Sequence, residues 1–185
     1  MSELPNPAIA RVVEVASRKG VALDIRVFDA AMRNPAEAAS VVDADIGQIV
    51  KPLLFVASRP DGRLAPIVCL MSGSSEVDPK LLAAVTLERD CRPATAKETR
   101  DLTGFAAEDL PPVGYARTVR VVMDQDLCPC QWVWAFAGTD SSLFRVTPGT
   151  LRMLANAVVA PISAAPWVVA AMPEFGRRLE ARAGA

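Results

Sequence analysis

The chain has 185 residues, of which 51% are hydrophobic and 22% are charged, and this composition predicts one soluble globular domain with an ample core. From this length we do not expect a second full domain. The formal net charge of -1 argues against a protein that holds nucleic acid by bulk positive charge, because such domains are clearly basic.

The first half of the chain alternates between helix and strand patterns. Apolar residues at helical spacing predict a helix over 7–19, which Gly20 ends, and VALDIRVFD alternates as a half-buried strand does. Asn34 and Pro35 open a short predicted helix in NPAEAASVVDA. The stretch LLFVASRPDGRLAPIVCLMSG then predicts two strands joined by a turn at 59–63.

In the second half, strands come in groups between helices. Asp78 and Pro79 open a predicted helix that runs through Leu87, and Thr95 and Glu98 have the spacing of a capping box. TVRVVMD, QWVWAFAG and LFRVTP are strand-like, whereas TPGTLRMLANA is helical. This grouping predicts an α+β fold with a mixed or antiparallel sheet rather than a doubly wound one.

The sequence favours neither a membrane protein nor a metal centre. Its start is polar and then amphipathic, unlike a signal peptide, and prolines break the apolar run at 157–172. Histidine is absent, which removes imidazole catalysis and histidine metal sites. The four cysteines are interpreted as reduced thiols, and zinc at Cys128 and Cys130 is disfavoured. We therefore expect a cytoplasmic protein with no cofactor and no membrane or DNA partner.

Lys51 is a charged residue in an apolar setting. It stands in IVKPLLFVA at the start of a predicted strand, and Pro52 biases it toward an extended conformation. Two interpretations stay open: an edge lysine whose ammonium reaches solvent, or a charge placed in a site. The apolar surroundings predict that Lys51 lines the mouth of a pocket and is not ion-paired to a carboxylate.

Five motifs follow one another in an order that is more informative than any one of them. They are IVKPLLFVA, MSGSSEVDPKLLAA, TGFAAEDLPPVGY, VVMDQDL and WAFAGTDSSLFRVTPGTL. Together they resemble the YbaK / prolyl-tRNA editing domain family of aminoacyl-tRNA deacylases, from about Pro7 to Leu154. The resemblance implies a mixed β-sheet or barrel packed by helices. We place this domain at residues 1–157, followed by a C-terminal extension at 158–185 that we expect to be helical and packed on the domain.

The resemblance implies hydrolysis of the ester of a mischarged tRNA, typically alanine, cysteine, serine or threonine on tRNA-Pro. The family's functional lysine aligns with Lys51. Its cation could position a phosphate or stabilise the charge that develops on the carbonyl oxygen. Water, aided by a hydroxyl of the terminal ribose, would attack, so no side-chain nucleophile is needed. The implied partners are aminoacyl-tRNA, bound transiently, and a prolyl-tRNA synthetase.

The resemblance also implies substrate-binding residues around Lys51. Backbone amides of the MSGSS and PPVGY loops would line the pocket, and Asp124 is favoured as a structural turn residue. Phe28 stands where some relatives have tyrosine. The predicted substrate-binding residues are Phe28, Ser72, Gly73, Ser74, Glu108, Pro112, Gly114 and Asp124.

The chain departs from the family at the presumed pocket. Glu108 and Asp109 stand where many members have two glycines, and Pro52 stands where many have serine or threonine. Two carboxylates beside a polyanionic ligand would weaken its binding unless Arg117 or Arg120 compensates. Glu108 could instead recognise the α-ammonium of the aminoacyl group.

Two hypotheses from different classes therefore stay open. The first is a deacylase that edits a small mischarged amino acid in trans, and Lys51 favours it. The second is a non-catalytic module that binds an amino acid, a tRNA end or a synthetase, and Glu108 and Asp109 favour it.

Overall fold

The computed structural model describes residues 6–164, which form five α-helices and eight β-strands. The helices are α1 Pro7–Arg18, α2 Pro35–Val42, α3 Pro79–Thr86, α4 Ala96–Thr103 and α5 Pro148–Ala155. The strands are β1 Ile25–Val27, β2 Val50–Ser58, β3 Leu64–Ser72, β4 Arg92–Pro93, β5 Arg120–Asp124, β6 Val133–Phe136, β7 Ser142–Val146 and β8 Val158–Ala160. All five helices and six of the strands coincide with predicted segments, whereas the short strands β4 and β8 were not predicted.

The described strands form two sheets. The larger is mixed, with the order β4-β2-β3-β5-β8, in which β2 and β3 form an antiparallel hairpin and β5 runs parallel to both β3 and β8. The smaller is antiparallel, with the order β1-β7-β6. An isolated bridge between Ile49 and Trp134 joins the two sheets. The α+β prediction with a mixed sheet is confirmed, and within residues 6–164 the strands do not close into a barrel.

Side-chain caps explain where the helices begin. Asn34 accepts the backbone N–H of Glu37 at the start of α2, and Asp78 accepts those of Lys80 and Leu81 at the start of α3. Such caps satisfy amide donors that have no partner inside the helix. The capping box predicted from Thr95 and Glu98 is present at the start of α4.

The core fills the space between the two sheets and under the helices. Its largest cluster combines β2, β3, β5, β6 and β7 with residues of α1 and α5. A smaller cluster lies where α2 covers one face of the small sheet, and it contains Ile49, Trp134, Phe136 and Leu143. Because Ile49 is fully buried there, the chain is held in place directly before β2 begins.

The segment after residue 157 continues the larger sheet. Val158–Ala160 forms strand β8 along β5 instead of the predicted helix, and Ile162 is buried in the core. Further on, Ala164 N–H donates to the carbonyl of Glu76 over 2.9 Å. The rest of the predicted extension and of the apolar run, residues 165–185, lies outside the described residues. Among the described helices, none combines the length and the apolar character needed to cross a bilayer.

Candidate functional site

A cavity of about 190 Å³ opens beside the first residues of β2. The start of α2 and the residues before it form one wall, the loop that follows α4 forms another, and Phe136 of β6 contributes an aromatic ring. The lining residues are Met32, Arg33, Asn34, Pro35, Lys51, Pro52, Leu53, Ala107, Glu108, Leu110 and Phe136. Lys51 and Glu108, predicted from distant motifs, therefore lie on the same cavity.

Lys51 sits at the start of a strand and on a cavity, but the prediction that it is not ion-paired was wrong. Its Nζ lies 2.7 Å from Oε1 of Glu76 and donates a hydrogen bond to it. The Lys51 side chain is only 18% exposed, whereas that of Glu76 is 78% exposed. The lysine stem is thus held by protein, and its ammonium meets a carboxylate that stands largely in water.

The exposure of Glu76 limits the strength of this ion pair. An exposed lysine–carboxylate pair contributes at most about 1 kcal/mol, because water screens the attraction and two side chains must be ordered. The backbone of Glu76 is nevertheless fixed by Ala164, and the next residue, Val77, forms a bridge with Ser163. A rigid main chain with a weakly held carboxylate can keep Lys51 extended and still release it to an incoming anion.

A second cavity, of about 350 Å³, adjoins the first. The two share Pro52, Leu53, Ala107 and Leu110, and the second is lined by mostly apolar residues together with Glu76. The second cavity therefore adds a mostly apolar surface next to the charged groups of the first. This arrangement suits a small ligand with an ammonium, an ester or phosphate, and a short apolar side chain.

Pro52 lies where no described strand pairs with the outer edge of β2. Strand β4 pairs with β2 only at Phe55 and Val56, so in the described chain no strand flanks the outer edge of β2 at Pro52. Proline has no N–H to leave unpaired there. The departure from the serine or threonine of relatives is thus compatible with the strand.

The MSGSS loop supports the site from outside the cavity. Ser72 is buried and its Oγ donates to the carbonyl of Gly47 over 3.0 Å, while the Gly73 N–H donates to the carbonyl of Ile49 over 2.7 Å. Ser74 is exposed, and its Oγ lies 2.9 Å from that of Ser72. Because the Gly73 amide is already paired, the expectation that it faces a ligand does not fit the structure.

Gly73 is required for a close approach of the chain, and its replacement should lower stability. A Cβ at this position would lie 2.5 Å from the carbonyl oxygen of Ile46 and 2.8 Å from Cβ of Pro35. We expect Gly73→Ala to lower the free energy of unfolding by about 1–3 kcal/mol. Gly47→Ala is the matched control, since its Cβ would meet only the hydroxyl oxygens of Ser72 and Ser74, at the ordinary contact distances of 3.7 and 3.8 Å. Urea unfolding of both variants measures the difference, and equal stabilities would contradict this account.

Pro112 and Gly114 lie on a different cavity, which they share with Val15 and Arg117. Gly114 has φ +95°, and a Cβ there would lie 3.4 Å from the backbone of Arg11 in α1. Its conformation therefore serves the approach of this loop to α1. The structure does not bring these two predicted residues to Lys51.

Phe28 and Asp124 also have structural surroundings. Phe28 packs against the cluster under α2, which includes the cavity residues Met32 and Phe136, but Phe28 is not among the residues that line the cavity. Asp124 is fully buried, and it accepts the N–H of Asp126 and that of Ile162 over 2.8 and 2.9 Å. The structural interpretation of Asp124 fits these contacts.

The two carboxylates that replace glycines differ in their surroundings. Glu108 is exposed on the cavity of Lys51, whereas Asp109 is partly buried, and burial raises the pKa of the Asp109 carboxyl, with the nearby Asp140 adding to the rise. Only Glu108 is placed to meet a ligand in this cavity. The predicted compensation by Arg120 does not fit, because its guanidinium lies 3.5 Å from Glu88 and it lines another groove.

Sequence reasoning missed three residues around Lys51: Glu76, Arg33 and Phe136. Glu76 stands in the quoted MSGSSEVD segment, but nothing in its spacing indicates an ion pair with a residue 25 positions away. In residues 6–164, no three histidine, cysteine or acidic side chains come together as a metal site would require.

Comparisons with known proteins agree with this fold. The sequence profile of the aminoacyl-tRNA editing domain matches residues 29–154. A crystal structure described as that of a candidate trans-editing enzyme for prolyl tRNA synthetase is 35% identical, with a TM-score of 0.78, over 88% of this chain and all of that one. A chain from epitope backbone grafting on scaffold proteins is 32% identical, also with a TM-score of 0.78, over 86% of this chain and 99% of that one.

A curated relative carries a related segment inside a much longer protein. The proline–tRNA ligase of Limosilactobacillus reuteri (strain DSM 20016) is 29% identical over 89 residues, which cover 48% of this chain and 15% of the ligase. This chain thus corresponds to a small part of the ligase. The profile match extends over most of the chain, and the predicted family is confirmed: this chain belongs to the aminoacyl-tRNA editing domain family.

Proposed function

We propose that this protein is an aminoacyl-tRNA deacylase that hydrolyses, in trans, the ester of tRNA-Pro carrying a small wrong amino acid. The observation that carries the proposal is the position of Lys51, which a strand holds on a cavity that Glu108 also lines and whose ammonium pairs with Glu76. Membership in the editing family and the likeness to a candidate trans-editing enzyme support it. A cytoplasmic location and contact with a prolyl-tRNA synthetase are parts of the same proposal.

Lys51 would act by electrostatic stabilisation. Attack of water on the ester carbonyl develops negative charge on the carbonyl oxygen, next to a phosphodiester, and a preorganised ammonium stabilises that charge. The bond from the carbonyl carbon to the ribose oxygen then breaks, the ribose oxygen takes a proton, and a free amino acid and an intact tRNA result. A hydroxyl of the terminal ribose can orient the water, which fits a chain without histidine.

Glu108 would select the substrate by its amino group. Its carboxylate lies on the cavity of Lys51, and an α-ammonium is the one cationic group that every aminoacyl ester presents beside the carbonyl. The adjoining apolar cavity, lined in part by Leu53 and Leu110, offers space for a small side chain. Selection among amino acids then depends on volume, at about 1–3 kcal/mol per methylene.

A panel of aminoacyl-tRNAs tests this function. Purified protein is incubated with tRNA-Pro charged with alanine, cysteine, serine, threonine or proline, and both the released amino acid and the intact tRNA are measured. We expect hydrolysis of at least one small mischarged ester and sparing of prolyl-tRNA-Pro. Binding of charged tRNA without loss of any ester would contradict the deacylase and favour the non-catalytic binding module.

The ion pair with Glu76 predicts a specific kinetic effect. If the Glu76 carboxylate competes with an anionic part of the substrate for Lys51, Glu76→Gln should lower KM. The decrease should be at most about fivefold, because an exposed ion pair contributes at most about 1 kcal/mol. The gain should shrink at high salt, because the competition is electrostatic. Glu88→Gln is the matched control, since Glu88 pairs with Arg59 and Arg120 away from the cavity. An increase in KM would show instead that Glu76 helps to hold the substrate.

A further inference from the structure

Two arginines and two tryptophans form a continuous row on one face of the small sheet. The Cζ atom of Arg26 lies 5.2 Å from the ring centroid of Trp134, and that of Arg145 lies 5.6 Å from Trp134 and 4.8 Å from Trp132. The side chains thus follow the order Arg26, Trp134, Arg145, Trp132, which we call the Arg–Trp row. Cation–π contacts at these distances hold the guanidinium groups over the rings.

The register of the strands explains this arrangement. Trp134 of β6 and Arg145 of β7 are direct cross-strand partners, and Arg26 of β1 faces the neighbouring position, Leu143. Partners across a sheet point to the same face, so the row follows from pairing rather than from a flexible surface. Gln48 further fixes the start of β6, because its Nε2 donates to the carbonyl of Trp132 over 3.3 Å.

Core packing accounts for only part of the row. Trp134 is 5% exposed and belongs to the cluster under α2, but Trp132 is 37% exposed. Arg145 is exposed, and in the part of the chain that the structure describes no carboxylate lies within ion-pair distance of it. Arg26 has a distant partner, Asp24, at 3.9 Å. The exposed ring of Trp132 and the guanidinium of Arg145 are therefore available to a ligand at the outer end of the row.

The row leads directly to the cavity of Lys51. Trp134 forms the bridge with Ile49, and Lys51 follows Ile49 by two residues of extended chain, which is about 7 Å. In the other direction along β6, Phe136 follows Trp134 by two residues and lines the cavity. Trp132 precedes Phe136 by four positions, at most about 14 Å of extended chain, so a strand whose end enters the cavity is long enough to reach the exposed end of the row.

We propose that the Arg–Trp row binds the unpaired 3′ end of the tRNA whose ester reaches the cavity. A base stacks on the exposed ring of Trp132, and phosphates contact Arg145 and Arg26. Exposed aromatic rings and arginines are the groups that recognise single-stranded RNA, because every base has a face to stack and every linkage carries a negative charge. With a net charge of -1 the protein lacks bulk attraction for RNA, so such local contacts must supply the affinity. This inference rests on the proposed function.

Binding of uncharged RNA tests the row separately from catalysis. The probe is a fluorescent tRNA-Pro acceptor-stem hairpin with its unpaired 3′ nucleotides, compared with the same hairpin without them. We expect Trp132→Ala to weaken binding of the complete hairpin about tenfold, and Trp132→Phe to retain most of the affinity. Arg145→Gln should reduce the slope of log affinity against log salt concentration by about 1, which corresponds to one lost phosphate contact. Arg63→Gln is the control, since Arg63 is 85% exposed in the β2–β3 turn, away from the row.

The outcomes separate the row from the deacylase. Equal binding of the two hairpins by the parent protein, or undiminished binding by Trp132→Ala, would overturn the row as an RNA surface. If Trp132→Ala instead loses binding to a prolyl-tRNA synthetase while its RNA binding is unchanged, the row is a protein interface and the RNA proposal is wrong. Binding that depends on Trp132, without hydrolysis of any ester, would support the row and contradict only the deacylase. Far-ultraviolet circular dichroism establishes that each variant is folded.

Discussion

Lys51→Ala should abolish hydrolysis of the mischarged ester while leaving the protein folded. Removal of one preorganised group that stabilises charge in a transition state lowers kcat by a factor of about 100–1,000. The cost in stability should be small, because the Glu76 partner is 78% exposed, so that water screens the pair and it contributes at most about 1 kcal/mol. Single-turnover rates and thermal unfolding of the parent and the variant measure both effects.

Two further variants test whether the rate depends on this particular lysine and on more than its positive charge. Lys97→Ala removes a lysine that pairs with Asp101 on the surface of α4, so its rate should equal that of the parent. Lys51→Arg keeps the charge but not the shape of the group, and we expect it to recover only a minor part of the rate. If Lys51→Ala hydrolyses the ester as fast as the parent, the proposed mechanism is wrong.

Glu108→Gln should lower kcat/KM about tenfold, mainly through a higher KM. The glutamine keeps the size of the side chain but removes the charge that would bind the α-ammonium, and hydrogen bonds to charged groups are worth about 1.5–3 kcal/mol. The effect should disappear for an ester whose α-amino group is acetylated, because that substrate has no ammonium to recognise. Steady-state kinetics with both substrates provide the measurement.

Asp109→Asn is the matched comparison for Glu108→Gln. Asp109 lies next to Glu108 in the sequence, but it is partly buried beside Asp140 and does not line the cavity, so its amide variant should leave KM unchanged. Higher activity of Glu108→Gln than of the parent would mean that the carboxylate is an obstacle to a polyanionic ligand. The double glycine variant at 108 and 109 should then be more active still.

Local signals in the sequence were sufficient to predict most of the fold. The β2–β3 hairpin follows from Pro60, Asp61 and Gly62 between two apolar runs, and α4 follows from the Thr95–Glu98 capping box. Strand β8 was not predicted, because its three residues gain their partners only through parallel pairing with β5. The β1–β7 and β3–β5 pairings likewise join segments that are distant in the sequence.

The candidate site was predictable only where a motif carried the residue. Lys51 and Glu108 stand out in their motifs, and both lie on the cavity. Glu76 does not stand out, since the carboxylate reaches Lys51 only after the loop that follows β3 is fixed by Ala164. Gly114 was assigned to the pocket from its motif alone, and the motif does not indicate that its positive φ serves the approach of the backbone to α1.

Single-turnover loss of the ester, with protein in excess over alanyl-tRNA-Pro, measures directly whether Lys51 accelerates hydrolysis. Binding of the same tRNA is followed in parallel, so that a failure to hydrolyse is not mistaken for a failure to bind. We expect a first-order loss of the ester at least about 100-fold faster in the parent than in Lys51→Ala, with similar binding by both. An ester that stays intact on tRNA bound to the parent protein, for alanine and for the other small amino acids alike, would contradict this expectation.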